Sequence, residues 1–200
     1  MAQPLSDERV AETRERIVQV AEHQAVALGL ENVSMHSIAR DLGWSATALY
    51  RYFANKEAIL AAARTAALDR LSFALEAAIA GPGDAWEVSR AVGDAYVAFA
   101  FDNPDAYRLI FSLSQPDPAD YPEFAQALAR ARANLTLYVE RMVEAGGLEA
   151  DPTVLGHLFW GGLHGLISLQ MTGKFGDESP DFDSLRHEMM RSLVRGAHKP

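Results

Sequence analysis

The chain has no cysteine, which excludes disulfides, thiolate metal sites, iron–sulfur clusters and a cysteine nucleophile together. It fits a reducing compartment, and a cytoplasmic protein is expected. Strand signals are equally scarce, because β-branched residues are scattered and no run alternates with period two between tight turns. Neither a G-x-S-x-G elbow nor a G-x-x-x-x-G-K-[ST] phosphate loop occurs, so an enzyme reading has no motif to stand on. The first ten residues, MAQPLSDERV, lack a basic region followed by an apolar run, so no signal peptide is expected. Basic residues are also in deficit, with 18 Lys and Arg against 27 Asp and Glu, a net charge of −9.

That deficit is unevenly spread. Residues 1–56 carry a net −1 and residues 57–200 a net −8, while Ser34 to Lys56 holds Arg40, Arg51 and Lys56 against Asp41 alone. A polyanion-binding tip on an acidic body is compatible with this division. With 49% hydrophobic and 22% charged residues, the 200-residue chain is globular, and it is long enough to bury a core without staples. Thr153 to Gly173 has no formal charge and is long enough to span a bilayer, with Gly161 and Gly165 in a G-x-x-x-G pair. His157, His164, Ser168 and Gln170 within it point instead to a helix buried in a soluble dimer, and no membrane partner is expected.

Helical periodicity runs throughout and predicts an all-α protein of about nine helices. Ile17, Val20, Ala21, Ala25 and Leu28 share one face of a first helix that Gly29 ends. Ser34 caps a short helix stopped by Gly43, Ser45 caps another through Tyr52, and Asn55 caps a long one from Lys56 to about Ala80. Further helices are expected from Asp84 to Asp102, Pro104 to Phe111, Pro122 to Ala145 (closed by Gly146-Gly147), Pro152 to Thr172 and Phe182 to Arg195.

Residues 34–56 carry the functional signal: SMHSIARDLGWSATALYRYFANK. Two short helices meet at Gly43. Small Ala39 suits a close helix crossing, and Ile38, Leu42, Trp44, Leu49 and Tyr52 fall where a compact helix-turn-helix buries side chains. Such a unit exposes the start of its second helix, here Ser45-Ala46-Thr47-Ala48, whose short side chains permit close approach to a groove. Tyr50, Tyr52 and Lys56 follow as phosphate-reaching candidates. A plain helical hairpin in a core is the competing reading. The tyrosines beside Arg51 and Lys56, on a segment with one acid, favour the phosphate surface.

The run S-M-H-S-I-A-R-D-L-G, preceded by A-L-G-L and followed by S-A-T-A-L-Y-R-Y-F-A-N-K-E-A-I-L, resembles the TetR (tetracycline-repressor-like) family of bacterial transcriptional regulators over residues 12–60. The resemblance implies a helix-turn-helix DNA-binding domain over 1–55 and a helical bundle for ligand binding and dimerisation over 56–200. It implies that His36, Ala46, Thr47 and Ala48 face base edges, and that Ser34, Ser45, Tyr50, Tyr52 and Lys56 hold phosphates. His36 stands where a longer basic side chain would bind more firmly. W-G-G-L-H-G at Trp160 to Gly165, with N-P-D-A-Y-R-L-I-F upstream, is similar to a TetR subgroup with a Trp-x-x-x-His-Gly signature.

The implied function is a ligand-responsive repressor that binds a palindromic double-stranded operator as a homodimer, through its last two helices, and is released by a largely apolar small molecule. Aromatic residues gather in the C-terminal body. Tyr96, Phe99, Tyr107, Phe111, Tyr138, Met142 and His164 lie on the helices that would line a ligand cavity. His157 and His164 are two turns apart with no nearby carboxylate, so no metal site is expected, nor any cofactor. The rival reading is an all-α small-molecule binding protein or enzyme with no specific DNA affinity.

Overall fold

The computed structural model describes residues 6–146 and 148–198; residues 1–5 of the N-terminal run read above, and Gly147, lie outside them. The described residues form ten α-helices, one 3-10 turn at Leu30–Asn32 and no strand, beyond an isolated antiparallel bridge between Leu148 and His198. No helix among them is long and apolar enough to cross a membrane.

Two compact units divide the chain, the first running up to Arg70 and including Asn103–Ala129, the second comprising Leu71–Asp102 and Arg130 onward. The first unit holds α1 (Asp7–Ala27), α2 (Met35–Leu42), α3 (Ala46–Leu49), the start of α4 (Lys56–Ile79), α6 (Pro104–Ile110) and most of α7 (Pro122–Ala133). Local chemistry explains the boundaries. Ser34 and Ser37 form a reciprocal capping box that starts α2, each hydroxyl taking the other's backbone N–H. Gly43, at φ +72°, ends the helix in the left-handed conformation that glycine adopts without steric cost. Asn55 Oδ1 accepts from the Ala58 N–H at 2.8 Å and opens α4. The core of this unit is Ile17, Ile38, Leu49, Ile59 and Leu109, all essentially solvent-free, around Ala39 at the α1–α2 crossing. Each large side chain contributes about 1.5–3 kcal/mol by leaving water.

The second unit holds the rest of α4, α5 (Ala85–Asp102), α8 (Leu137–Glu144), α9 (Pro152–Met171) and α10 (Phe182–Gly196). Asp84, Asp151 and Asp181 cap α5, α9 and α10 by accepting first-turn N–H groups, where the helix dipole also favours negative charge. Phe159 and Ile167 are fully buried on α9, and Gly162 seats the Met189 side chain of α10.

Two elements differ from expectation. The helix expected from Pro122 to Ala145 is two helices, interrupted at residues 134–136. Asn134 is buried there and donates to Glu76 Oε1, and the Leu135 carbonyl rests against the backbone at Gly156. The helix expected from Ser45 to Tyr52 is α-helical only through Leu49; Arg51 and Tyr52 close it with tighter bonds to the carbonyls three residues back.

Candidate nucleic-acid interface

The first unit presents the start of α3 to solvent. Ser45 and Thr47 are exposed, Ala46 and Ala48 half-buried, and the Ser45 side chain makes no capping hydrogen bond. Tyr50 is 57% exposed and His36, on α2, is also exposed. Ser34 is half-buried, with its hydroxyl engaged in the α2 cap. Tyr52 and Lys56 are half-buried, and the Tyr52 ring lies 6.2 Å from that of Trp44. All nine DNA-facing candidates therefore belong to one compact unit.

Helix α1 supplies what the sequence reading missed. Arg14 donates to the Tyr52 carbonyl and lies 4.0 Å over the Phe53 ring, so a cation holds the chain where it leaves α3. Arg16 lies over Trp44 at 5.9 Å. Gln24 is 2% exposed and bonded to both Ser37 and Asp41 of α2. Its signal was present: it sits three residues from Ala21 and seven from Ile17, a polar side chain on the apolar stripe. Hydrogen bonds from Gln24 and then Arg40 hold the Asp41 carboxyl below the usual carboxylate range, so the acid within this segment is tied down.

The seven candidates for a ligand cavity separate. Tyr96, Phe99, Tyr138, Met142 and His164 belong to the second unit, whereas Tyr107 and Phe111 belong to the first, their rings 4.8 Å apart. Helix α6, which carries Tyr107, packs on α1. Tyr96 and Tyr138 line a cavity of about 20 Å³ with Trp160 and Leu163. Trp160 Nε1–H donates to the Tyr96 hydroxyl at 2.9 Å, and burial pushes the Tyr138 phenol upward. Such a volume takes about one water molecule. His164 is half-buried 6.4 Å from the Trp160 ring, its Nε2 lies 3.4 Å from the Ser168 hydroxyl, and burial lowers its pKa. His157 Nδ1–H donates to the Thr153 carbonyl at 2.7 Å. No group of three or more His, Asp or Glu able to hold a metal occurs among the described residues.

Roomier clefts lie in the first unit. One of about 400 Å³ is bordered by Lys56, Leu60, Arg64, Gln115 and Tyr121. Arg64 is buried, donates to the Ser112 hydroxyl and the Ser114 carbonyl, and has its pKa lowered to about 10 by desolvation.

A short helix start exposed beside a glycine turn, on a unit braced by α1, is the arrangement of a helix-turn-helix unit. The model for bacterial regulatory proteins of the tetR family matches residues 17–63, and that for the tetracycline-repressor-like C-terminal domain matches residues 89–193. The chain belongs to the TetR family of transcriptional regulators. It is 27% identical over 188 residues to the HTH-type transcriptional regulator Rv0681 of Mycobacterium tuberculosis, covering 94% of this chain and 82% of that one. The structure of the TetR-family regulator PfmR from Thermus thermophilus superposes with a TM-score of 0.70 at 26% identity, over 92% of this chain and all of that one. A Rhodococcus sp. RHA1 protein of unknown function shares the fold, with a TM-score of 0.79 at 23% identity over 99% of this chain and all of that one.

Proposed function

We propose that this regulator is a ligand-responsive repressor, acting in the cytoplasm, that binds a palindromic operator as a homodimer and is released by a small, largely apolar effector. The observation that carries the DNA half is the exposed start of α3. Ser45 and Thr47 stand clear of the core with short side chains around them, and Tyr50 is open to solvent beside them. His36, Ala46, Thr47 and Ala48 face base edges, while Ser34, Ser45, Tyr50, Tyr52 and Lys56 take phosphates. Two tips related by a two-fold axis read half-sites about 34–36 Å apart, or a multiple of that.

The dimer half rests on α9. Val154, Leu158 and Leu169 are exposed, and Gly161 and Gly165 have open space where a β-carbon would lie. At helical spacing these five residues share one face, an apolar stripe with small residues that admits a second copy closely. For the effector, the cavity between Tyr96, Tyr138 and Trp160 must expand well beyond one water, toward the several hundred Å³ of ordinary ligand pockets. An effector shifts the protein off DNA only by its preference for the expanded state.

The test is selection from a random duplex library with the full chain, then fluorescence anisotropy of the selected duplex at several salt concentrations. A preference of roughly 10³-fold or more over a scrambled duplex is expected. Enrichment of no sequence overturns the proposal.

A further inference from the structure

Gln24 occupies an unusual position for a carboxamide. The buried residues of α1 are Ile17, Val18, Ala21, Gln24 and Ala25, and of these Gln24 alone is polar. Burying an amide among apolar neighbours costs free energy unless both of its ends are bonded. Both are. Its N–H group donates to Asp41 Oδ2 at 2.5 Å, and its carbonyl oxygen accepts from the Ser37 hydroxyl at 2.8 Å. Ser37 belongs to the capping box at the start of α2, and Asp41 lies one turn further on, the last residue but one of that helix. The second Asp41 oxygen accepts from Arg40 at 3.1 Å. One side chain of α1 thus grips α2 at both ends of the same face.

The apolar contacts of Met35, Ile38 and Ala39 hold α2 against α1 but are not directional, so they resist rotation and sliding weakly. Hydrogen bonds fix angles. Only residues 43–45 lie between α2 and α3, so the pitch of α2, together with Leu49 in the core and Arg14 at the Tyr52 carbonyl, sets where Ser45 and Thr47 stand. From this we infer that Gln24 is a positioning residue for DNA binding: it sets the register of α2 on α1, and through it the presentation of α3 to the groove. The inference rests on the DNA-binding reading above, and it adds a residue that itself touches no DNA.

The chemistry offers a charge-balanced test. Gln24→Glu places a carboxylate against Asp41, replacing a hydrogen bond by repulsion. Adding Asp41→Asn restores a donor–acceptor pair with the roles reversed, while the new carboxylate on α1 still accepts from Ser37. The double variant has the formal charge of the wild type, so long-range repulsion of DNA is unchanged. Affinity for the selected duplex and for a scrambled duplex is measured for wild type, both single variants and the double, below the melting temperature of each. Gln24→Glu is expected to lose roughly tenfold or more in affinity for the selected duplex, with a smaller loss on the scrambled one, and the double variant to recover most of it. Unchanged affinity in Gln24→Glu, or a double variant no better than the single, overturns the inference.

Amide hydrogen exchange over residues 35–42 supplies a readout that needs no operator. Faster exchange in Gln24→Glu, slowed again in the double variant, supports the grip on α2, and identical exchange in all four proteins overturns it. Failure of the wild type to select any sequence falsifies the DNA-binding proposal separately.

Discussion

A β-carbon on Gly156 of α9 would collide with the carbonyl oxygen of Leu135. Leu135 is in the turn between α7 and α8, so the break in that helical stretch and the missing side chain on α9 occupy one another's space. Neither makes sense alone. The turn needs a neighbour without a side chain, and the glycine, unfavourable within a helix, is retained by the turn.

Gly156→Ala is therefore expected to destabilise the protein by about 1–3 kcal/mol, because the clash is with backbone, which cannot rotate away. Gly93→Ala, on α5 where nothing lies within 4 Å, should instead stabilise by roughly 0.5–1 kcal/mol. Urea unfolding of both variants checks the pair. Equal effects of one sign would contradict the packing described.

Thr47→Ala is expected to change preference among operator variants, whereas Tyr50→Phe and Lys56→Ala should weaken binding to every sequence alike. Only Lys56→Ala removes a positive charge, so it alone should reduce the salt slope, by about one. Anisotropy titrations across salt concentrations separate these outcomes. A Thr47→Ala loss equal on all duplexes would remove it from base reading.

Leu158→Glu should convert the proposed dimer to a monomer while leaving helix content intact. Leu158 is 51% exposed on the single chain, so a charge there costs the fold little but would be buried unpaired in the proposed two-fold interface. Sedimentation at micromolar concentration, with far-ultraviolet circular dichroism beside it, decides the matter. A variant that sediments as a dimer would place the interface elsewhere.

Glu76 ties α4 to α7 within the second unit, accepting from Arg130 Nε and Nη2 at 2.7 and 2.6 Å and from Asn134. Arg130 first, and then Asn134, hold its carboxyl below the ordinary value of 4.5. A lowered native pKa means that the stabilisation is present above about 4.5 and is lost as pH falls through the native value. The melting-temperature gap between wild type and Glu76→Gln should accordingly be widest near neutrality and narrow below pH 4.5. A gap that widens on acidification would reverse this sign.

Helix starts and stops were legible because they are local: a serine or aspartate accepts from the next turn's N–H groups, and Gly43 takes a positive φ, whatever lies elsewhere in the chain. The helix-turn-helix spacing was legible for the same reason, since its side chains lie within a few turns of one another. The split at residues 134–136 was not, because Asn-Leu-Thr contains no strong helix breaker and the partners that interrupt the helix, Glu76 and Gly156, are distant in sequence. Distance in sequence likewise hid Arg14 at the Tyr52 carbonyl.

Caps, glycines and a 3.6-residue period are thus enough to specify an all-helical chain, the limits of most of its helices and a helix-turn-helix near its start. Which aromatics share a unit depends on packing instead. Tyr96 and Tyr138 close on Trp160, while α6, which carries Tyr107 and is followed by Phe111, belongs to the first unit and packs on α1. Packing also gives the apolar face of α1 its bonded glutamine, through partners on α2. Periodicity says which side of a helix is covered, but the covering element is chosen by the shape and hydrogen-bonding of surfaces far apart in the chain.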